Sequence, residues 1–189
     1  ALMAIIDSGV PEKTCITYLA DKEETGSDGN TGMQSDFLRY FIYDLAKSEG
    51  LEGYRVLSKS KCLSADVNAA VDPTYESCFE PKNSSYINEG VVISKYTGAR
   101  GKSSTSDASA EYMGEIRRML ESNKIIWQVG ELGRVDLGGG GTIAKYVANM
   151  NVDVVDLGVP VLSMHAPFEI VSKLDVYMAY QAFLHFFIG

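Results

Sequence analysis

Gly90-Val-Val-Ile-Ser-Lys95, then Tyr112, Ile116, Met119 and Leu120 at helical spacing, then Ile125-Ile-Trp-Gln-Val129: this stretch decides the fold class. A short apolar run rich in β-branched residues is a strand, and the set between Asp107 and Leu120 is an amphipathic helix. The second apolar run is another strand. Working outward toward the N-terminus, residues 1–8 predict the end of a buried helix and Val10-Pro11-Glu12-Lys13 a turn. Residues 14–19 predict a strand ending at Asp21, and residues 25–32 a polar loop. Phe37, Leu38, Phe41, Ile42 and Leu45 then recur as a helix stopped by Gly50. Short strands near residues 54–58 and 61–67, and an irregular tract through Pro73 and Pro81, lead back to Gly90. Toward the C-terminus come a glycine-rich loop (residues 138–141), a helix over 142–149, a strand pair across 152–164 and a long helix over 168–187. Such alternation implies an α/β fold, a three-layer α/β/α sandwich around a mostly parallel mixed sheet. Ligands of such sheets gather outside the carboxyl ends of the strands.

Composition narrows the function. With 189 residues, 46% hydrophobic and 22% charged, the chain fits one compact domain or a large piece of a bigger one. A formal net charge of -8 and the lack of any Lys/Arg cluster argue against a nucleic-acid partner. No apolar run approaches the roughly 20 residues that cross a bilayer, so no membrane partner is expected. Cys15, Cys62 and Cys78 are odd in number and lack C-x-x-C spacing, which fits a reducing, cytoplasmic compartment better than a disulfide framework. The opening Ala1-Leu-Met-Ala-Ile-Ile6 has no polar lead-in and is expected to continue something longer.

Three places after strands carry reactive side chains: Glu23 and Glu24, Asp66, and His165. Two carboxylates and an imidazole are ligands suited to zinc, manganese or cobalt, and a neighbouring carboxylate can take a proton from activated water. Adjacent Glu23 and Glu24 in extended structure would point to opposite sides, one to metal and one to substrate. Bland readings stand beside each. Asp21-Lys-Glu-Glu24 also fits a solvated loop, Asp66 beside Ser64 a turn cap, and His165 a hydrogen-bonded structural residue. His185, among Phe183, Leu184, Phe186 and Phe187, is expected to pack. The glycines before Thr142 lack phosphate-loop spacing and predict close approach of loop to sheet. N–H groups there, at Gly140, could instead hold a substrate carboxylate.

Asp21-Lys-Glu-Glu-Thr-Gly-Ser27, Gly29-Asn-Thr-Gly-Met-Gln-Ser35, Ser64-Ala-Asp66, Lys95-Tyr-Thr-Gly98, Gly138-Gly-Gly-Gly-Thr-Ile143, Ser163-Met-His165 and Pro167-Phe-Glu169 appear in that order. Together they resemble the aspartyl aminopeptidase and aminopeptidase I family of zinc metallopeptidases, over nearly the whole chain. The resemblance implies a zinc-exopeptidase-like fold and removal of N-terminal amino acids from peptide substrates. It implies Glu23 as general base, and Glu24, Asp66 and His165 as ligands in a two-zinc centre, with cobalt or manganese as alternatives. Lys95 and Asp107 are lesser candidates for substrate contact.

The same resemblance implies that residues 1–189 form the C-terminal portion of a catalytic domain. An upstream His, a bridging Asp and an inserted dimerisation domain would lie outside it, leaving this chain inactive by itself. It further implies a homo-oligomer, commonly a tetrahedral dodecamer. Asn68 and Asp72 stand where aspartyl-specific relatives carry histidines, and residues 95–102 resemble the aminopeptidase I branch, pointing to a neutral or hydrophobic N-terminal residue. A second reading is a noncatalytic assembly or binding module.

Overall fold

A computed structural model describes residues 1–98, 100, 103, 104, 106–134 and 136–189. The elements run α1 (Leu2–Asp7), α2 (Phe37–Ser48), α3 (Gly53–Leu57), β1 (Lys61–Ser64), β2 (Asn68–Ala69), β3 (Val91–Ser94) and α4 (Ala110–Ser122). They continue with β4 (Trp127–Val129), α5 (Ala144–Ala148), β5 (Asp153–Gly158), β6 (Pro160–Leu162), β7 (Ile170–Val171) and α6 (Lys173–Ile188). Short 3-10 turns stand at Glu23–Thr25 and Glu76–Cys78.

Alternation along β5 sets the layers. Val155 and Leu157 join a core with Val91 and Ile93 of β3, Ile116 and Leu120 of α4, and Ala182 and Phe183 of α6. Val154, facing the other way, packs with Leu57, Ala144 and Val147, against which Leu38 and Ile42 of α2 also lie. Helices therefore cover both faces of the sheet, the expected α/β/α sandwich. Leu120 and Leu157 are wholly buried, each stabilising the fold by about 1.5–3 kcal/mol.

The main sheet has the order β1-β5-β3-β4, with β1 parallel to β5, β3 parallel to β4 and β3 antiparallel to β5. A smaller sheet, β2-β6-β7, pairs β2 parallel to β6 and β6 antiparallel to β7. Mostly parallel pairing holds, but the single expected sheet is divided. β1 and β5 leave the first ladder at the same level and re-pair as β2 and β6, so the expected strand over residues 61–67 breaks around Asp66. A Cβ on Gly158 would lie 1.3 Å from the Asp66 carbonyl oxygen. Only a glycine lets the two backbones approach this closely.

Other expectations are corrected. The strand expected over 54–58 is helix α3. Gly53 and Leu57 are buried at helical spacing, and a Cβ on Gly53 would strike the Tyr43 ring at 2.2 Å, so α3 docks edge-on to α2. Residues 14–19 form no strand, because among the described residues none pairs with them. In α1 only Ala4 is buried, while Leu2, Met3 and Ile6 are exposed, so this is no buried helix. The long C-terminal helix starts at Lys173, capped by the Ser172 hydroxyl on the Leu174 N–H. Residues 170 and 171 are taken by β7. His185 is half-buried on α6. Of residues 95–102, Ala99, Gly101 and Lys102 lie outside the described residues. No helix among the described residues is long and apolar enough to cross a membrane.

Gly158→Ala is expected to destabilise the chain beyond the ~1–3 kcal/mol usual for overpacking, because the obstacle is backbone and cannot rotate away. Urea unfolding of the variant beside wild type measures it.

Candidate metal centre

The turn bearing Glu23 and Glu24 is wound from sequence upward. Lys22 enters it at φ 60, Gly26 leaves it at φ 92 and Ser27 follows at φ 59, three left-handed positions flanking a single 3-10 turn. The Ser27 N–H donates to the Lys22 carbonyl at 2.8 Å, and Ser27 is buried because Gly32 passes so close that a Cβ would meet the Ser27 oxygen at 2.1 Å. The Gln34 side-chain amide donates to the Gly26 carbonyl at 2.7 Å, and the Tyr146 hydroxyl of α5 reaches the same oxygen at 3.4 Å. Glu23 and Glu24 thus diverge by a 3-10 step of about 120°, not by the two-fold alternation expected of extended chain.

Asp66 sits in the break between β1 and β2, its Oδ1 accepting the Val67 N–H at 2.7 Å. His165 follows β6 at φ 67, and its N–H donates to Glu169 Oε1 at 2.6 Å. The His165 Nδ1 lies 3.7 Å from Glu24 Oε1.

Electrostatics ties the four residues together. Burial, then Asp66, then Glu24 push the Glu23 carboxyl up, and His165 opposes them. Burial and Glu24 likewise raise Asp66, against the Val67 N–H and His165. The carboxylates are therefore gathered with too little positive charge, a deficit that a cation would remove. Glu24 and His165 are largely exposed. Among the described residues no three His, Cys, Asp or Glu side chains already stand in ligating positions.

The other expected site residues meet each other. Lys95 Nζ is ion-paired with Asp107 Oδ1, so the two candidate substrate contacts are partners. Gly140 has only Leu132 within reach of a Cβ, at 3.9 Å. The close approach expected of this loop belongs to Gly139, at φ 98, against the Gly98 carbonyl, so the contact is loop to loop and not loop to sheet. Asn68 is buried, donating to the Ser94 hydroxyl and accepting from Ser85. Asp72 accepts from the Thr74 N–H and hydroxyl, which lowers its carboxyl below the ordinary range.

Two residues near the site escaped sequence reading. Glu169 stood there only as part of a motif. Asp156 falls within the strand pair expected over 152–164, where a carboxylate between Val155 and Leu157 is itself a signal. Asp156 is 7% exposed and accepts from the Thr142 hydroxyl at 3.0 Å. The hydroxyl of Ser64, its ladder partner, lies close without closing a geometric bond, leaving Ser64 Oγ and Asp156 Oδ1 unpaired. Burial pushes the Asp156 carboxyl up to about 6, against Ser64 and Thr142 and with help from Asp66.

Residues 1–187 match the family described as aminopeptidase I zinc metalloprotease, M18. The chain belongs to this family. It is 48% identical over 189 residues to a probable M18 family aminopeptidase 1 of Clostridium acetobutylicum, a match covering 96% of this chain and 41% of that one. The crystal structure of aminopeptidase I from C. acetobutylicum has a TM-score of 0.92 at 46% identity, covering 99% of this chain and 41% of that one. For the M18 aminopeptidase of Thermotoga maritima the values are 0.93 and 43%, covering 97% and 42%. The yeast mApe1 dodecamer, 21% identical with a TM-score of 0.70 over 89% of this chain and 36% of that one, shares the fold. The M18 chain spans about two fifths of the length of the relatives it matches.

The buried Asp156 gives this M18 chain a pH signature. Its carboxyl moves from 3.8 to about 6 on folding, so the protonated form is favoured in the fold. A penalty on the order of 3 kcal/mol therefore enters as pH rises through that window. Relative to Asp156→Asn, wild type is expected to lose stability by roughly this amount between about pH 4 and about pH 7. Urea titrations across pH check this, and a difference that stays flat contradicts the assignment.

Proposed function

We propose that this chain carries part of the zinc site of an aminopeptidase, acting within the polypeptide that bears it to remove N-terminal residues from peptides. What carries the proposal is that His165 Nδ1 lies 3.7 Å from Glu24 Oε1 and that Asp66, Glu24 and His165 all act electrostatically on the Glu23 carboxyl. Glu24, Asp66 and His165 would hold metal, two oxygen donors and one nitrogen donor of the kinds zinc takes. Glu24 and His165, being exposed, have side-chain freedom to close on an ion. Bound zinc supplies Lewis acidity, polarising the scissile carbonyl and lowering the pKa of attacking water. Two ions per site, with cobalt or manganese as substitutes, belong to the same proposal.

Glu23 is suited to be the general base. It is half-buried, and its carboxyl is held above the ordinary glutamate range, where it takes up a proton from water and returns it to the leaving amine more readily. The 3-10 turn separates this task from that of Glu24 next to it.

Family membership supports peptide substrates, and the exposed apolar side chains of Phe37, Tyr40 and Phe41 along α2 support homo-oligomeric assembly. Three free cysteines favour the cytoplasm. A noncatalytic module is the second reading, favoured by the lack of any preformed ligating triplet among the described residues.

In the polypeptide carrying this chain, Glu23→Gln is expected to lower kcat for aminoacyl-anilide hydrolysis by about 10²–10⁴-fold, with zinc binding retained. His165→Ala is expected to lose zinc. Activity indifferent to Glu23 would overturn the catalytic reading and leave the module reading standing.

A further inference from the structure

The loop that brings His165 to the site is held shut by one side chain. The β6–β7 ladder pairs Leu162 with Ile170, leaving residues 163–169 as the connection. Two non-glycine residues in it are left-handed, Ser163 at φ 59 and His165 at φ 67. Conformations of this kind cost on the order of 1–3 kcal/mol each and persist only where surroundings enforce them. Packing does not enforce them here: residues 163 and 165–169 are exposed, Phe168 by 86%. What the loop has instead is two hydrogen bonds, Ala166 N–H to the Ser163 carbonyl at 2.9 Å and His165 N–H to Glu169 Oε1 at 2.6 Å. The second crosses the loop and is charge-assisted, roughly twice as strong as a neutral bond.

We propose that Glu169 is a positioning residue for the zinc site: by locking the His165 N–H it fixes the left-handed backbone that presents the imidazole to Glu24. This rests on the reading of His165 as a ligand. Glu169 stands directly before β7, so its own backbone is anchored by the ladder on which the loop closes. Its reach is that of a Glu or Gln. An Asp is one methylene short, and an Ala has no acceptor. Released from this bond, residue 165 relaxes toward ordinary φ and the imidazole leaves the carboxylates.

The test measures zinc affinity, by competition with a chromogenic chelator, and hydrogen exchange at the His165 amide in the polypeptide carrying this chain. Wild type is compared with Glu169→Ala, Glu169→Gln and His165→Ala. Glu169→Ala is expected to weaken zinc about 10–100-fold, the usual cost of removing a group that orients a ligand, and to speed exchange at residue 165. Glu169→Gln, whose amide oxygen still accepts, is expected to stay close to wild type. Should Glu169→Ala fail to fold, Glu169→Asp against Glu169→Gln decides, with Asp weakened and Gln not. Wild-type zinc affinity in Glu169→Ala, or in folded Glu169→Asp, alongside loss in His165→Ala, overturns the positioning role and leaves the site standing. Retained zinc binding in His165→Ala removes the site reading and this proposal with it.

Discussion

Two parallel backbones close on each other at Asp66 and Gly158 with no space between them for a side chain. Around this contact β1 and β5 stop pairing and β2 and β6 begin in the same parallel register, so the division of the sheet falls at this one close approach. The break frees Asp66 from the ladder at the carboxyl end of β1. A continuous strand would have tied residue 66 into regular hydrogen bonding, its side chain committed to one face. β6 begins two residues after this glycine and leads into the loop of His165.

Charge is the second organising constraint. Asp156, on β5, turns its carboxyl into the layer beneath α5, where Thr142 meets one oxygen and nothing among the described residues meets the other. Asp66, Glu23 and Glu24 lie farther out, and burial, with repulsion among them, raises the first two. A fold that wanted only stability would place a Lys or Arg here or spread the acids apart. Keeping them together is costly unless something positive arrives, which makes the cluster more informative than any of its members.

The layers were legible because β3, α4, β4 and β5 follow their periods cleanly, apolar runs for strands and i, i+4 spacing for the helix. The misread elements fail for physical reasons. Residues 54–58 are few and include Tyr54 and Val56, which favour strands, and their helical state goes with Gly53 fitting against the Tyr43 ring, a tertiary fact. Residues 170 and 171 carry apolar side chains that continue the helical pattern, yet pairing with β6 claims them first. At the site, residue types and chain order pointed to Glu23, Glu24, Asp66 and His165. Neither disclosed the 3-10 turn or the left-handed φ angles, which go with hydrogen bonds donated by Gln34 and Tyr146 and one accepted by Glu169. Lys95 and Asp107 looked separately available because sequence does not show that they pair.

Residues 14–20 explain why the turn after them is tied so firmly on its far side. They form no helix or strand, and no strand among the described residues pairs with them, while the Thr17 hydroxyl is buried without a partner among the described residues. Support for Glu23 and Glu24 therefore comes from the residues that follow. The Asp21–Gly32 bridge, the Thr31 hydroxyl on Asp21, and Gln34 and Tyr146 on the Gly26 carbonyl supply it. A site built this way can keep its turn geometry even while residues 14–20 lack a ladder. The position of the whole turn relative to Asp66 still depends on how that segment is held. Preorganisation is therefore divided: local hydrogen bonds set the angle between Glu23 and Glu24, and the docking of residues 14–20 sets their distance from the carboxylate across the gap.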